Sequence, residues 1–155
     1  MSDPVGSSVG SVFGSPVSDE VFEAIWNRAC QPQLVTAPDY DGDAALHLVL
    51  TFHGMVMNAG LLGTLDAYDD ELNYPLPWVL QAYRALGLPL TAAAIEQAWR
   101  EHQDLTAAPE GADTAARWDE AEARIDATYD LDDTALSRAA RATIAAAPHT
   151  FAPVR

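Results

Sequence analysis

Lysine is missing from the 155 residues, so all eight basic side chains are arginines, set against 23 aspartates and glutamates for a formal net charge of −15. A surface so poor in positive charge repels DNA, RNA and anionic membranes, and it favours encounter with cationic proteins, peptides or metal ions. Direct nucleic-acid binding and membrane association are therefore not expected, whereas a basic partner is. Cysteine occurs once, at Cys30. That excludes an internal disulfide framework and fits a reducing compartment. Cys30 lies in an apolar helical pattern and is expected to be a buried thiol.

The first 17 residues have neither a basic n-region nor a compact apolar h-region. They read as a disordered arm ahead of a single domain over residues 18–152, and a cytoplasmic location is expected. Long apolar runs are also scarce. Ala44 to Leu62 comes closest, but it carries His47, Thr51, His53 and Asn58 and is flanked by acids on both sides. With no basic flank to set an orientation, it reads as a central core helix and not a membrane span.

Motifs for common chemistries are missing too. No two of His47, His53, His102 and His149 are spaced i, i+4, and there is no Cys-x-x-Cys, so no zinc site is expected. In Asp39-Tyr40-Asp41-Gly42-Asp43 the glycine precedes the third Asp, and Leu50 stands where a calcium loop needs a bidentate Glu. That run reads as a turn and helix cap. Phosphate-cradling glycine loops and Gly-x-Ser-x-Gly are absent. No cofactor is implied, no catalytic residue is assigned, and the protein is read as a non-enzyme.

What is present is helical. Ser18 with Asp19 and Glu20 starts a helix whose apolar stripe is Val21, Phe22, Ile25, Trp26 and Ala29. Asp43 is placed to cap the core helix, which is expected to reach about Leu62. A helix opened by Pro75 or Pro77 should stop where Gly87 supplies a left-handed C′ residue. Thr91 is placed to cap the next, expected to end near His102. From Asp113 a helix to about Tyr129 shows Trp118, Ala121, Ile125 and Tyr129 on one face, and Asp132 or Asp133 caps a last one before Pro148. No strand pattern or hairpin signal competes. The expected fold is all-α, a compact single-domain bundle of about six to eight helices around an apolar central helix.

Two features bear on function. His47, Thr51, Gly54 and Asn58 fall at i, i+4, i+7 and i+11, a polar and small stripe that can line a pocket at His47, Thr51 and Asn58 or mark a close helix crossing at Gly54. The charge, in turn, is concentrated: residues 39 to 71 hold seven acids and no base, and residues 104 to 133 hold ten acids against Arg117 and Arg124. Asp119, Glu122, Asp126 and Asp130 would align as one row on a continuous helix, at about 5–6 Å between neighbouring Cβ atoms. That spacing is of the order of the charge spacing along a nucleic-acid backbone. The rival reading is a solvated face that serves solubility.

Three stretches resemble the DNA-mimic protein family built on a widespread bacterial domain of unknown function. They are Met57-Asn58-Ala59-Gly60-Leu61, similar to an Asn-Gly-Gly-Phe motif; Val79 to Ala98; and Ala123 to Phe151, with its Tyr-Asp-Leu-Asp junction and closing His-Thr-Phe. Ala59 and Leu61 depart from the motif's Gly and Phe. The resemblance implies an all-helical domain, a homodimer, and an acidic surface that occupies the DNA-binding face of a transcription factor or histone-like protein. The expected contact surface comprises Asp66, Asp69, Asp70, Glu71, Asp119, Glu122, Asp126 and Asp130. Two rivals stand beside it: an immunity-type interaction domain recognised by shape, and a small-molecule role for the His47 to Asn58 stripe.

Overall fold

The structure, a computed structural model, describes residues 16–32, 40–69 and 72–155. Its elements are α1 (Asp19–Ala29), α2 (Asp41–Ala59), α3 (Leu61–Asp66), α4 (Leu76–Ala85), α5 (Pro89–Ala107), α6 (Thr114–Thr128), α7 (Asp133–Ala146) and a 3₁₀ turn, Pro148–Thr150. Among the described residues there is no strand, and no helix is long and apolar enough to cross a membrane. The all-α expectation is met. Most of the expected N-terminal arm, residues 1–15, lies outside the described residues, but Val17 already packs on the core.

Helix α2 forms the axis. Leu46, Val49, Phe52 and Val56 are buried along it, and it packs chiefly on α4 and also on α1 and α3. Each such apolar side chain removed from water contributes about 1.5–3 kcal/mol. Around this axis α5 packs on α3, α4 and α6, while Leu136, Ala140 and Ile144 bring α7 into the same core.

Several helix ends follow from local chemistry. Ser18 Oγ accepts the Val21 N–H at 3.3 Å, and Asp132 accepts that of Ala135 at 2.7 Å. At Gly87, φ +72°, the Gly87 N–H bonds Arg84 O and the Leu88 N–H bonds Tyr83 O, the paired closure of a Schellman stop.

Other ends differ from the sequence reading. Asp43 does not cap α2. It lies inside the first turn, fully buried, where Arg28 Nε donates to Oδ1 at 2.8 Å and the Ala152 N–H to Oδ2 at 2.6 Å, so it clasps α1 and the C-terminal segment. That segment presses so closely on the helix start that a Cβ on Gly42 would lie 2.7 Å from Phe151 and Thr150. Thr91 sits within the first turn of α5, which opens at Pro89 and runs on to Ala107 in place of the loop expected from Gln103. Gly54 is no crossing point, since nothing lies within 4 Å of a Cβ built there. Cys30 is exposed at the end of α1, not buried.

The axis also breaks early. Helix α2 stops at Ala59 and α3 starts at Leu61, with Gly60 between them at φ +75°, ψ 167°. Only glycine adopts that backbone without strain. The Leu62 N–H at the start of α3 is held by Asp126 Oδ1 at 3.0 Å, and a Cβ on Gly60 would stand 2.4 Å from Asp126 Oδ2. Glycine at this place in the motif is thus required twice, by its dihedrals and by the carboxylate beside it.

Candidate functional site

Helix α6 owes its orientation to Ala121 and Ile125, both buried, with Trp118 partly buried on the same side. Its outer side carries Asp119, Glu120 and Glu122, all exposed and, among the described residues, engaged in no hydrogen bond or ion pair. Because α6 ends at Thr128 and Tyr129 is extended at φ −92°, ψ 92°, the expected row of four does not form. Asp126 is committed to capping α3, and Asp130 stands exposed in the α6–α7 junction, off the helix. What the fold presents is a patch of three carboxylates on α6 and one beyond it. Glu120, which the row omitted, belongs to this patch.

The arginines do little to offset it. Arg28, Arg84, Arg100, Arg117, Arg124 and Arg141, six of the eight, already have acidic partners: Asp43, Glu96, Glu96, Asp113, Glu101 and Asp19 respectively. Arg141 also lies 4.1 Å over the Phe22 ring. Positive charge is thereby spent on intramolecular contacts, and the outward carboxylates of α6 keep their field.

The acids of the earlier stretch are placed differently. Asp66, at the end of α3, is exposed and takes His102 Nε2 at 3.0 Å. The His102 ring stacks on Trp99, with centroids 5.5 Å apart and planes at 15°, and meets Trp118 edge-on at 5.8 Å. Its Nδ1 is buried and, among the described residues, has no partner. Asp69 is exposed, while Asp70 and Glu71 lie outside the described residues.

A second histidine stands behind the acids of the junction. His53 is buried on α2, with Nε2 2.8 Å from Asp133 Oδ1 and Nδ1 2.8 Å from the Tyr129 hydroxyl, which is in turn 2.8 Å from that of Tyr83. Proton order along the chain follows from burial. Tyr83 is 0% exposed and among the described residues its hydroxyl has no other partner, so it donates to Tyr129, Tyr129 donates to His53 Nδ1, and His53 Nε2–H donates to Asp133. Burial, aided by the Asp133 charge, pushes the Tyr129 hydroxyl up to about 12; burial raises Tyr83 as well. Partners 46 to 80 residues apart make this chain, so no local spacing announces it.

The polar stripe of α2 does not converge on a pocket. His47 is buried, its Nδ1 2.9 Å from Ala29 O and its Nε2 3.0 Å from the Tyr74 hydroxyl, a tie between the end of α1 and the loop before α4. Thr51 and Asn58 are exposed, and Thr51 Oγ1 turns back to donate to His47 O at 2.8 Å. The cavity that Thr51 does border, with Leu48, Phe52 and Met55, has a volume of about 10 Å³. That is at the lower limit for a single water. Among the described residues no group of three or more His, Cys, Asp and Glu side chains is arranged to hold a metal ion.

A family model described as DMP19-like protein matches residues 41–146, from the first residue of α2 to the last of α7. No curated protein and no solved structure matches the chain. The match takes in the axis, the Gly60 break, the outer side of α6 and the junction, and the chain belongs to the DMP19-like protein family.

Proposed function

We propose that this protein is an acidic decoy that binds a basic DNA-binding protein, a transcription factor or a histone-like protein, and regulates it by occupying its DNA site. One observation carries the reading: Asp119, Glu120, Glu122 and Asp130 stay exposed and unengaged while most arginines are consumed by other acids. Asp119 and Glu122, at i and i+3 and about 5–6 Å apart, with Glu120 and Asp130 exposed nearby, offer a cationic groove charge in place of phosphates. Membership of the DMP19-like family supports the same reading, because DNA mimicry is what that family is identified with. The contact needs no catalysis and no cofactor. Homodimerisation, implied by the resemblance, would double the array.

The test is capture from a bacterial lysate on the immobilised protein, with and without competing duplex DNA, across a salt series. A basic protein should be retained, released by DNA, and lost steeply as salt rises. Changing Asp119→Asn, Glu120→Gln, Glu122→Gln and Asp130→Asn together should weaken capture at least tenfold. Capture that ignores DNA, salt and this variant would instead identify a partner recognised by shape, and the decoy reading would fall.

A further inference from the structure

Of the four tryptophans, Trp26 leans on Phe22, while Trp99 and Trp118 enclose His102. Trp78 is different. It lies 57% exposed in the first turn of α4 and, among the described residues, meets no aromatic ring. The helix turns Leu76, Val79, Leu80 and Tyr83 inward, which leaves the indole on its outer side. Exposing so large an apolar group forfeits burial that would stabilise the fold, and tryptophan is enriched where protein partners dock.

Trp78 borders a trough of about 440 Å³ between α2 and α4. Ala44, Ala45, Ala82 and Ala85 line it, and because none of them reaches beyond Cβ the space between the two helices stays open. Among the described residues Asp41 is its one charged lining group, and Gln81 adds an amide. Asp41 and Gln81 are both exposed and, among the described residues, form no hydrogen bond or ion pair. The nearby arginines are turned elsewhere, Arg84 of α4 to Glu96 and Arg28 of α1 to Asp43.

Resting on the decoy reading, we infer that this trough receives an arginine side chain of the basic partner, projecting from an apolar stretch of that protein. A guanidinium stacks flat on an indole face and presents paired N–H donors to a carboxylate, and a lysine ammonium matches neither geometry. Trp78 supplies the face, Asp41 the carboxylate and the Gln81 carbonyl a further acceptor, while the alanines take the apolar neighbours of the arginine. A quaternary ammonium would leave Asp41 and Gln81 without a donor. The exposed carboxylates of α6 attract any cation through their field; an indole beside a carboxylate distinguishes one cation from another.

The probe is a fluorescent peptide of repeated Leu-Arg-Ser units, compared by anisotropy at one pH and ionic strength with its lysine counterpart of equal length and charge. The arginine peptide should bind at least about fivefold tighter. Either Trp78→Ala or Asp41→Asn should bring that preference below about twofold and change the affinity for the lysine peptide little. Changing Asp119→Asn, Glu120→Gln, Glu122→Gln and Asp130→Asn together should weaken both peptides and leave the preference in place. The unaltered protein gives an independent reading. In two-dimensional nitrogen–proton spectra the Trp78 indole N–H, identified by its loss in Trp78→Phe, should shift with the arginine peptide while the other indole signals stay. Failure of both peptides to bind would remove the decoy reading and this one with it. Equal binding of the two peptides, or a preference that survives Trp78→Ala, would overturn the arginine trough alone. So would a Trp78 signal that moves with protein concentration and not with peptide, which would assign this face to a second copy of the chain.

Discussion

Changing Gly60→Ala isolates the break in the central axis. Alanine at φ +75°, ψ 167° occupies a region open essentially to glycine, at a cost of about 1–3 kcal/mol. Its Cβ would also meet Asp126 Oδ2 at 2.4 Å, and that carboxylate cannot yield without releasing the Leu62 N–H it holds at 3.0 Å. A hydrogen bond to a charged group contributes about 1.5–3 kcal/mol. Together the two effects predict a loss of about 3–5 kcal/mol, or roughly 6–20 °C in Tm for a chain of this size.

Two other glycines calibrate the result. Gly87→Ala has a positive φ, +72°, but open space around its Cβ, so it should show only the backbone cost of about 1–2 kcal/mol. Gly54→Ala, in mid-helix with nothing within 4 Å, should stabilise by up to about 1 kcal/mol. Urea and thermal unfolding followed by circular dichroism rank all three. If Gly60→Ala costs no more than Gly87→Ala, the steric argument through Asp126 is wrong. A cycle with Asp126→Ala should be non-additive, because removing the carboxylate clears the space that the new methyl needs.

Two further perturbations test the buried polar groups. Asp43→Asn breaks an ion pair whose carboxylate is fully buried and should cost about 3–5 kcal/mol, with the Ala152 amide losing its protection from hydrogen exchange; a cost under about 1 kcal/mol would refute the clasp. Alkaline pH acts through Tyr83 and Tyr129, whose folded values lie above the ordinary value of about 10, so the stability they contribute is complete below pH 10 and is lost as pH rises above it, for Tyr129 as pH passes through about 12 and for Tyr83 beyond that. The slope is about 1.4 kcal/mol per pH unit for each group. Absorbance at 295 nm should show two tyrosines that stay protonated above pH 10, and ionisation of Tyr83 and Tyr129 near pH 10 while the fold persists would contradict the buried hydroxyl chain.

Much of the architecture was legible because helix signals are local. Ser18, Asp132, Gly87 and Pro148 act on neighbours within a few residues, and the apolar spacing of Phe22 and Ile25 or of Ala121 and Ile125 fixes which side of a helix turns inward. The misreadings share a cause. Asp43 and Thr91 have side chains suited to capping, and sequence alone does not show that a tertiary contact or Pro89 claims the position. Likewise Gly54, expected at a close helix crossing, has open space around it, while Gly60 has a carboxylate against it.

The acidic surface divides along the same line. Amino-acid content alone determined a charge of −15, its concentration in two stretches and its placement opposite the apolar side of α6, because those depend on residue counts and the helical repeat. Only the tertiary structure decided which carboxylates remain free. Asp126 goes to the start of α3, Asp43 to Arg28, Asp66 to His102 and Asp133 to His53, each through partners more than ten residues distant, while Asp119, Glu120 and Glu122 are left to the solvent. A carboxylate's availability is set by which donors folding brings within about 3 Å of it, and chain spacing does not encode that distance.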